Sequence, residues 1–153
     1  GMSALEFRTG SLFDQRDVDA LGHGVNAQGV MGAGIAKQFR ERFPQLYEAY
    51  LRDYREQRLW PGSCGRYRVP SGRLVYNLVT QLKPGAHAEL GLIHLAVGNM
   101  LDDLHHRALS SVAIPRIGCG IGGLRWTEVV EVLAGAAEPY SEVRLIVVTP
   151  PVS

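Results

Sequence analysis

Short apolar or β-branched runs bounded by glycine and proline alternate along the chain with longer stretches whose apolar residues recur every three or four positions. That alternation predicts strands and helices in turn. Strands are expected over Leu5–Thr9 and Ala20–Val25, with Asp17 and Asp19 marking the turn between them. From Gly34 onward, Ile35, Phe39 and Phe43 recur at four-residue spacing with Lys37, Arg40 and Glu41 opposite, an amphipathic helix that stops before Pro44. Pro44 opens a second helix, through Leu46, Tyr47, Tyr50, Leu51 and Tyr54 to about Arg58, which Trp60-Pro61-Gly62 closes.

Gly65–Val69 and Arg73–Thr80 flank Pro70-Ser71-Gly72 and read as a hairpin. Leu92, Leu95, Ala96, Met100, Leu101 and Leu104 share one face of a long helix over Leu90–His106. A short buried strand at Ser111–Ile114, a helix at Trp126–Ala137 and a last strand at Val143–Thr149 complete the order. The last strand is so continuously apolar that it is expected to be central or covered on both faces. The order favours α/β architecture, a three-layer α/β/α sandwich with helices on both sides of a mixed sheet.

A length of 153 residues with 46% hydrophobic and 20% charged residues suits one domain, taken as residues 2–153. Gly1-Met2 reads as an expression remnant before the native start. Sixteen basic against fifteen acidic side chains leave a charge of +1, so global electrostatics points neither to nucleic acid nor to a membrane. Cys64 and Cys119 lack CxxC spacing, which suggests neither a disulfide framework nor a zinc site, and the cytoplasm is the default compartment. The spacing of His87, His94, His105 and His106 is no metal motif, so no metal and no cofactor is expected. His23, on the strand entering the first glycine loop, and Trp126 read as packed residues.

Two stretches stand out: VNAQGVMGAGIAKQF from Val25 and IPRIGCGIGGLRW from Ile114. Each passes from strand through glycines to helix. Helix N-termini offer unpaired N–H groups, and glycine lets backbone approach a ligand without an intervening Cβ. Two such loops on one cleft would grip a diphosphate from both sides. Gly118, Gly120 and Gly123 match GxGxxG, but only 30 residues follow and no acid stands near the ribose-binding position, about 20 residues on, of a dinucleotide fold. Neither loop supplies GK[ST], which excludes nucleoside triphosphate chemistry of the P-loop kind.

Together with GSLF near the start, VNAQGVMGAGIAKQFRERFP and IPRIGCGIGGLRWTEV resemble the macro domain, an ADP-ribose-binding module. The likeness is greatest to the branch that holds the human terminal ADP-ribose protein glycohydrolase and bacterial antitoxins that remove ADP-ribose from DNA. The resemblance implies that Ser11 and Leu12 lie beside the adenine, with Ser11 where the family usually has Asp. It implies that Asn26 faces the distal ribose and that Val30, Met31, Gly32, Ala33, Gly34 and Ile35 wrap ribose and phosphates. Ile117, Gly118, Cys119, Gly120, Ile121 and Gly122 would form the opposite phosphate wall, and Val148 and Pro150 an apolar adenine-side wall. Asn26 also suits an asparagine that ends a strand and bonds its own turn. Cys119 reads as a small packing residue.

In this branch a lysine follows the Thr that ends a strand and attacks C1″ of the distal ribose. Here Thr80 is followed by Gln81, with Lys83 two residues on; in an extended chain those two share a direction, displaced by about 6 to 7 Å. Gly122 stands where the human relative carries an aspartate. A lysine-free route would hold water near C1″ with Asn26, Gln81 and a phosphate oxygen. The expected activity is removal of mono-ADP-ribose from acidic side chains of proteins, with ADP-ribose and ADP-ribosylated protein as partners and a monomeric, membrane-free state. Standing beside it are a non-catalytic reader, a phosphatase of ADP-ribose 1″-phosphate and a glycohydrolase of ADP-ribosylated nucleic acid.

Overall fold

The computed structural model describes residues 5–152, so Gly1 and Met2, read above as an expression remnant, lie outside the described residues. Six strands, β1 (Leu5–Thr9), β2 (Ala20–Asn26), β3 (Cys64–Arg68), β4 (Leu74–Gln81), β5 (Ser111–Ile114) and β6 (Arg144–Thr149), form one sheet in the order β1-β6-β5-β2-β4-β3. Neighbours run parallel except β3, which is antiparallel to β4. Helices α1 (Gly34–Arg42), α2 (Pro44–Arg55), α3 (Leu90–His106) and α4 (Trp126–Ala137) cover the two faces, with 3₁₀ turns at Leu12–Asp14 and Glu138–Tyr140.

Two-residue alternation sorts the strands between two cores. Leu145 and Val147 of β6, with Leu74, Tyr76 and Leu78 of β4, face the buried stripe of α3 and α4. Ile146 and Val148, with Val75 and Val79, face α1 and α2 through Phe39, Leu46 and Tyr50. Burial of Leu145–Val148 on both sides bears out the expectation for the last strand. Gly22 of β2 lets α3 approach, since a Cβ there would stand 3.1 Å from the Met100 sulfur.

One feature differs from the sequence reading. The second helix ends at Arg55, because Gln57 takes a left-handed φ of 58° and Arg58 folds back to pair with Asp53 at 3.0 Å. The turn expected at Asp17 and Asp19 is present, and the strands on either side of it are separated in the sheet by β6 and β5. Asp19 clamps the start of β5: its Oδ2 accepts from the Ser110 and Ser111 amides at 2.8 and 3.2 Å.

Candidate functional site

The loops that leave β2, β4 and β5 depart from the carboxyl ends of parallel strands and enclose a cleft of about 650 Å³. Ligands favour this edge of an open α/β sheet, because helix N-termini and strand-end loops point into it. Of the residues singled out by sequence, Asn26, Val30, Gly32, Ala33, Gly34, Ile35, Thr80, Gln81 and the whole of Ile117–Gly122 line the cleft.

The first loop is braced by side chains. Asn26 is buried where β2 ends, and its Oδ1 accepts from the amides of Gln28 (3.0 Å) and Val30 (3.3 Å). Its Nδ2 donates one hydrogen to the Val30 carbonyl at 2.8 Å. The buried Tyr50 hydroxyl donates to the Asn26 carbonyl at 2.5 Å and lies 3.0 Å from Oδ1. Burial raises the Tyr50 pKa, so the hydroxyl keeps its proton. This network fixes which way the Asn26 amide points and leaves its second Nδ2 hydrogen as what it can offer a ligand. The reading of Asn26 as a strand-end residue that bonds its own turn is observed, and the residue also lines the cleft. Past this brace, the amides of Gly32–Ala36 donate to no acceptor among the described residues, and α1 has no side-chain cap.

His23 lies one pleat behind, with Nε2 2.6 Å from Asn77 Oδ1 and its ring stacked on Phe39 at 4.0 Å. It is a packed strand histidine, and complete burial lowers its pKa to about 4.

The second loop is braced by backbone. Ile117 donates to Pro115 O, Cys119 to Arg116 O, Gly123 to Gly120 O and Leu124 to Gly118 O, while Ala88 donates to Gly122 O. A Cβ on Gly122 would stand 2.7 Å from Gly118 O and 2.8 Å from Ala88 Cβ; one on Gly118, at φ 77°, would meet Ile93 at 2.8 Å. Gly120 meets nothing within 4 Å. The amides of Gly120, Ile121 and Gly122 donate to no acceptor among the described residues.

Asn26 and Gln81 are partners across the β2–β4 pair, beside a bulge at Val25/Asn26. Gln81 spends its Nε2 on the carbonyls of Lys83 (2.5 Å) and Gly85 (2.9 Å), which leaves Oε1 as the acceptor it can present. Thr80 is buried beneath it. Lys83 does not follow in extended geometry: β4 ends at Gln81, the chain bends from Leu82, and the exposed Lys83 is not among the cleft-lining residues, although Pro84 and Gly85 are. The shared-direction argument for Lys83 is thereby removed.

Ser11, Leu12, Met31, Val148 and Pro150 are also outside the lining set: Leu12, Met31 and Val148 are buried beneath it, and Ser11 and Pro150 are exposed. Among the cleft-lining residues that sequence had not assigned to the site are Arg116 and Trp126. The Arg116 guanidinium lies over the Trp126 ring at 4.8 Å, and its Nε donates to Thr149 Oγ1 at 3.1 Å. Trp126 is packed as expected, but its ring faces the cleft as well, a placement hidden in one dimension because 10 residues separate it from Arg116.

Arg116 and Cys119 are the ionisable side chains lining the cleft among the described residues, and no carboxylate or imidazole joins them. Burial raises the Cys119 thiol pKa, and its Sγ lies 3.6 Å from Ile117 O, which argues against a nucleophilic thiolate. The cleft can hold an anion on free amides and one guanidinium, and it can position water, but it carries no side-chain base.

A Macro domain family model matches residues 23–133. Over 95% of its length the chain is 29% identical to a DNA ADP-ribosyl glycohydrolase of Mycobacterium tuberculosis, and over 83% it is 26% identical to the human ADP-ribose glycohydrolase. The chain spans about 42% of the length of that mycobacterial relative and 80% of the human one. The macrodomain of Mycobacterium tuberculosis DarG superposes with a TM-score of 0.87 at 30% identity, covering 99% of both chains. Thermosipho africanus DarTG in complex with ADP-ribose shares the fold at a TM-score of 0.84 and 22% identity, over 95% of this chain and 42% of that one.

Proposed function

The chain belongs to the macro domain family, and from that premise we propose that it binds ADP-ribose and hydrolyses mono-ADP-ribose from acidic side chains of proteins. Its ADP-ribosyl glycohydrolase relatives support ADP-ribosyl hydrolysis as the general activity. The linkage rests on one observation: no side-chain acid or base lines the cleft among the described residues. A carboxylate, with a pKa of about 4 as its free acid, leaves C1″ without being protonated. A ring nitrogen needs more help.

The diphosphate would rest on the free amides of Gly32–Ala36 and Gly120–Gly122, with C1″ near the ends of β2 and β4. There the spare Nδ2 hydrogen of Asn26 holds a ribose hydroxyl, and Gln81 Oε1 accepts a hydrogen bond from water. The water oxygen attacks C1″, the C1″–O bond breaks, and the carboxylate departs with the bonding pair. The water's proton passes to a diphosphate oxygen. Positioning and fixed dipoles lower the barrier without a strong base.

The test incubates protein ADP-ribosylated on glutamate, and ADP-ribosylated DNA, with wild type and with Asn26→Ala, Gln81→Ala and Lys83→Ala. Release from glutamate is expected to fall by roughly 10²-fold in Asn26→Ala and about tenfold in Gln81→Ala, and to hold in Lys83→Ala. Full activity in all three would remove these roles, and release from DNA alone would move the substrate to nucleic acid. The exposed Lys83 favours a second reading, a non-catalytic reader; tight ADP-ribose binding with no release from either substrate would establish it.

A further inference from the structure

Arg116 differs from the arginines that pair with acids elsewhere on the molecule. Arg8 meets Asp17, Arg58 meets Asp53, Arg66 and Arg107 share Asp103, and Arg144 meets Glu6. Arg116 has no carboxylate within ion-pair distance among the described residues, yet it is held in place. Trp126 covers one face of the guanidinium, and Thr149 takes Nε. What remains is the Nη1–Nη2 edge, a planar pair of donors whose spacing matches two oxygens of one phosphate.

The location ties Arg116 to the sheet. Thr149 ends β6, and its carbonyl accepts from the Gly10 amide at 2.9 Å, directly before Ser11. Arg116 therefore ties the second glycine loop to the end of β6, beside Gly10. Asn26 on β2 and Gln81 on β4 stand two and three strands from Thr149 on β6.

We propose that Arg116, positioned by Trp126 and Thr149, is a ligand-binding residue that clamps a phosphate of the diphosphate and supplies the charge that backbone amides lack. This rests on the ADP-ribose reading above. The loops cradle the diphosphate by shape and dipole, and Arg116 makes binding depend on ligand charge.

Calorimetric titration of ADP-ribose, at low and high salt, into wild type, Arg116→Lys and Arg116→Ala separates the possibilities, with thermal unfolding as the folding check. Arg116→Ala is expected to bind about 10- to 100-fold more weakly, and its affinity to lose most of its salt dependence. Arg116→Lys, which keeps the charge but not the fork, should fall between the two. Affinity within twofold of wild type in Arg116→Ala, or weaker binding with the salt dependence intact, would overturn the proposal. Failure of the wild type to bind ADP-ribose would instead sink the parent reading.

Discussion

The two glycine-rich loops look alike in sequence, but they are held by different means. After β2, Asn26 and Tyr50 anchor the chain through side-chain hydrogen bonds, and Gly32 has only Val30 near its open side, at 3.8 Å. After β5, the loop closes on its own carbonyls and presses Gly118 and Gly122 against Ile93 and Ala88 with no room for a Cβ. Both leave a row of amides free to face the cleft. Gly118 and Gly122 are thus packing requirements of the second loop, whereas the first loop adds two polar side chains to the positive φ of Gly29 and Gly34.

Gly122→Ala should break this contrast most severely, because the backbone oxygen of Gly118 lies in the way and cannot rotate aside. A loss of about 3 kcal/mol is expected in urea unfolding. A loss under about 1 kcal/mol would show that the second loop yields more easily than its packing suggests.

Acid should strike the first loop's side of the sheet. His23 has a folded pKa of about 4 against 6.5 for the free side chain, so between those values the unfolded chain binds the extra proton. Its contribution is fully present above pH 6.5 and is lost as pH falls towards 4, up to about 3 kcal/mol. His23→Phe, unfolded at pH 7 and at pH 4.5, should lose less stability on acidification than wild type does; an equal loss in both would assign the acid sensitivity elsewhere.

Tyr50→Phe removes the hydroxyl that bonds the Asn26 carbonyl and is expected to cost roughly 1 kcal/mol. Faster hydrogen exchange at the Gln28 and Val30 amides would report the loosened brace, and unchanged exchange there would mean that Asn26 suffices alone. Smallest in stability is Gly120→Ala, whose new methyl meets no atom within 4 Å. Unfolding should shift by under ~0.5 kcal/mol while ADP-ribose affinity drops, since the methyl enters the cleft. Unchanged affinity would place the diphosphate away from Gly120.

Much of this was legible in one dimension. The unbroken apolar run in VRLIVVT and the four-residue spacing of Ile35, Phe39 and Phe43 report which faces are buried, because burial on two faces or on one leaves a run or a period in the sequence. The two glycine loops and Asn26 were legible for a similar reason: a strand end, a turn and a helix start are neighbours in sequence. The end of α2 was misjudged because Gln57 adopts a left-handed conformation that its residue type does not announce.

Residue order alone determined an α/β sandwich, its two glycine loops and an asparagine between them and the sheet, all consequences of local backbone preference and side-chain period. Tertiary structure decided the rest. The insertion of β6 and β5 between β1 and β2 brings Thr149 to Arg116, and the pairing of β2 with β4 sets Gln81 opposite Asn26. The bend after Gln81 carries Lys83 out of the cleft-lining set. Each of these depends on strand order or on chain direction beyond a strand's end, and neither leaves a periodic trace in the sequence.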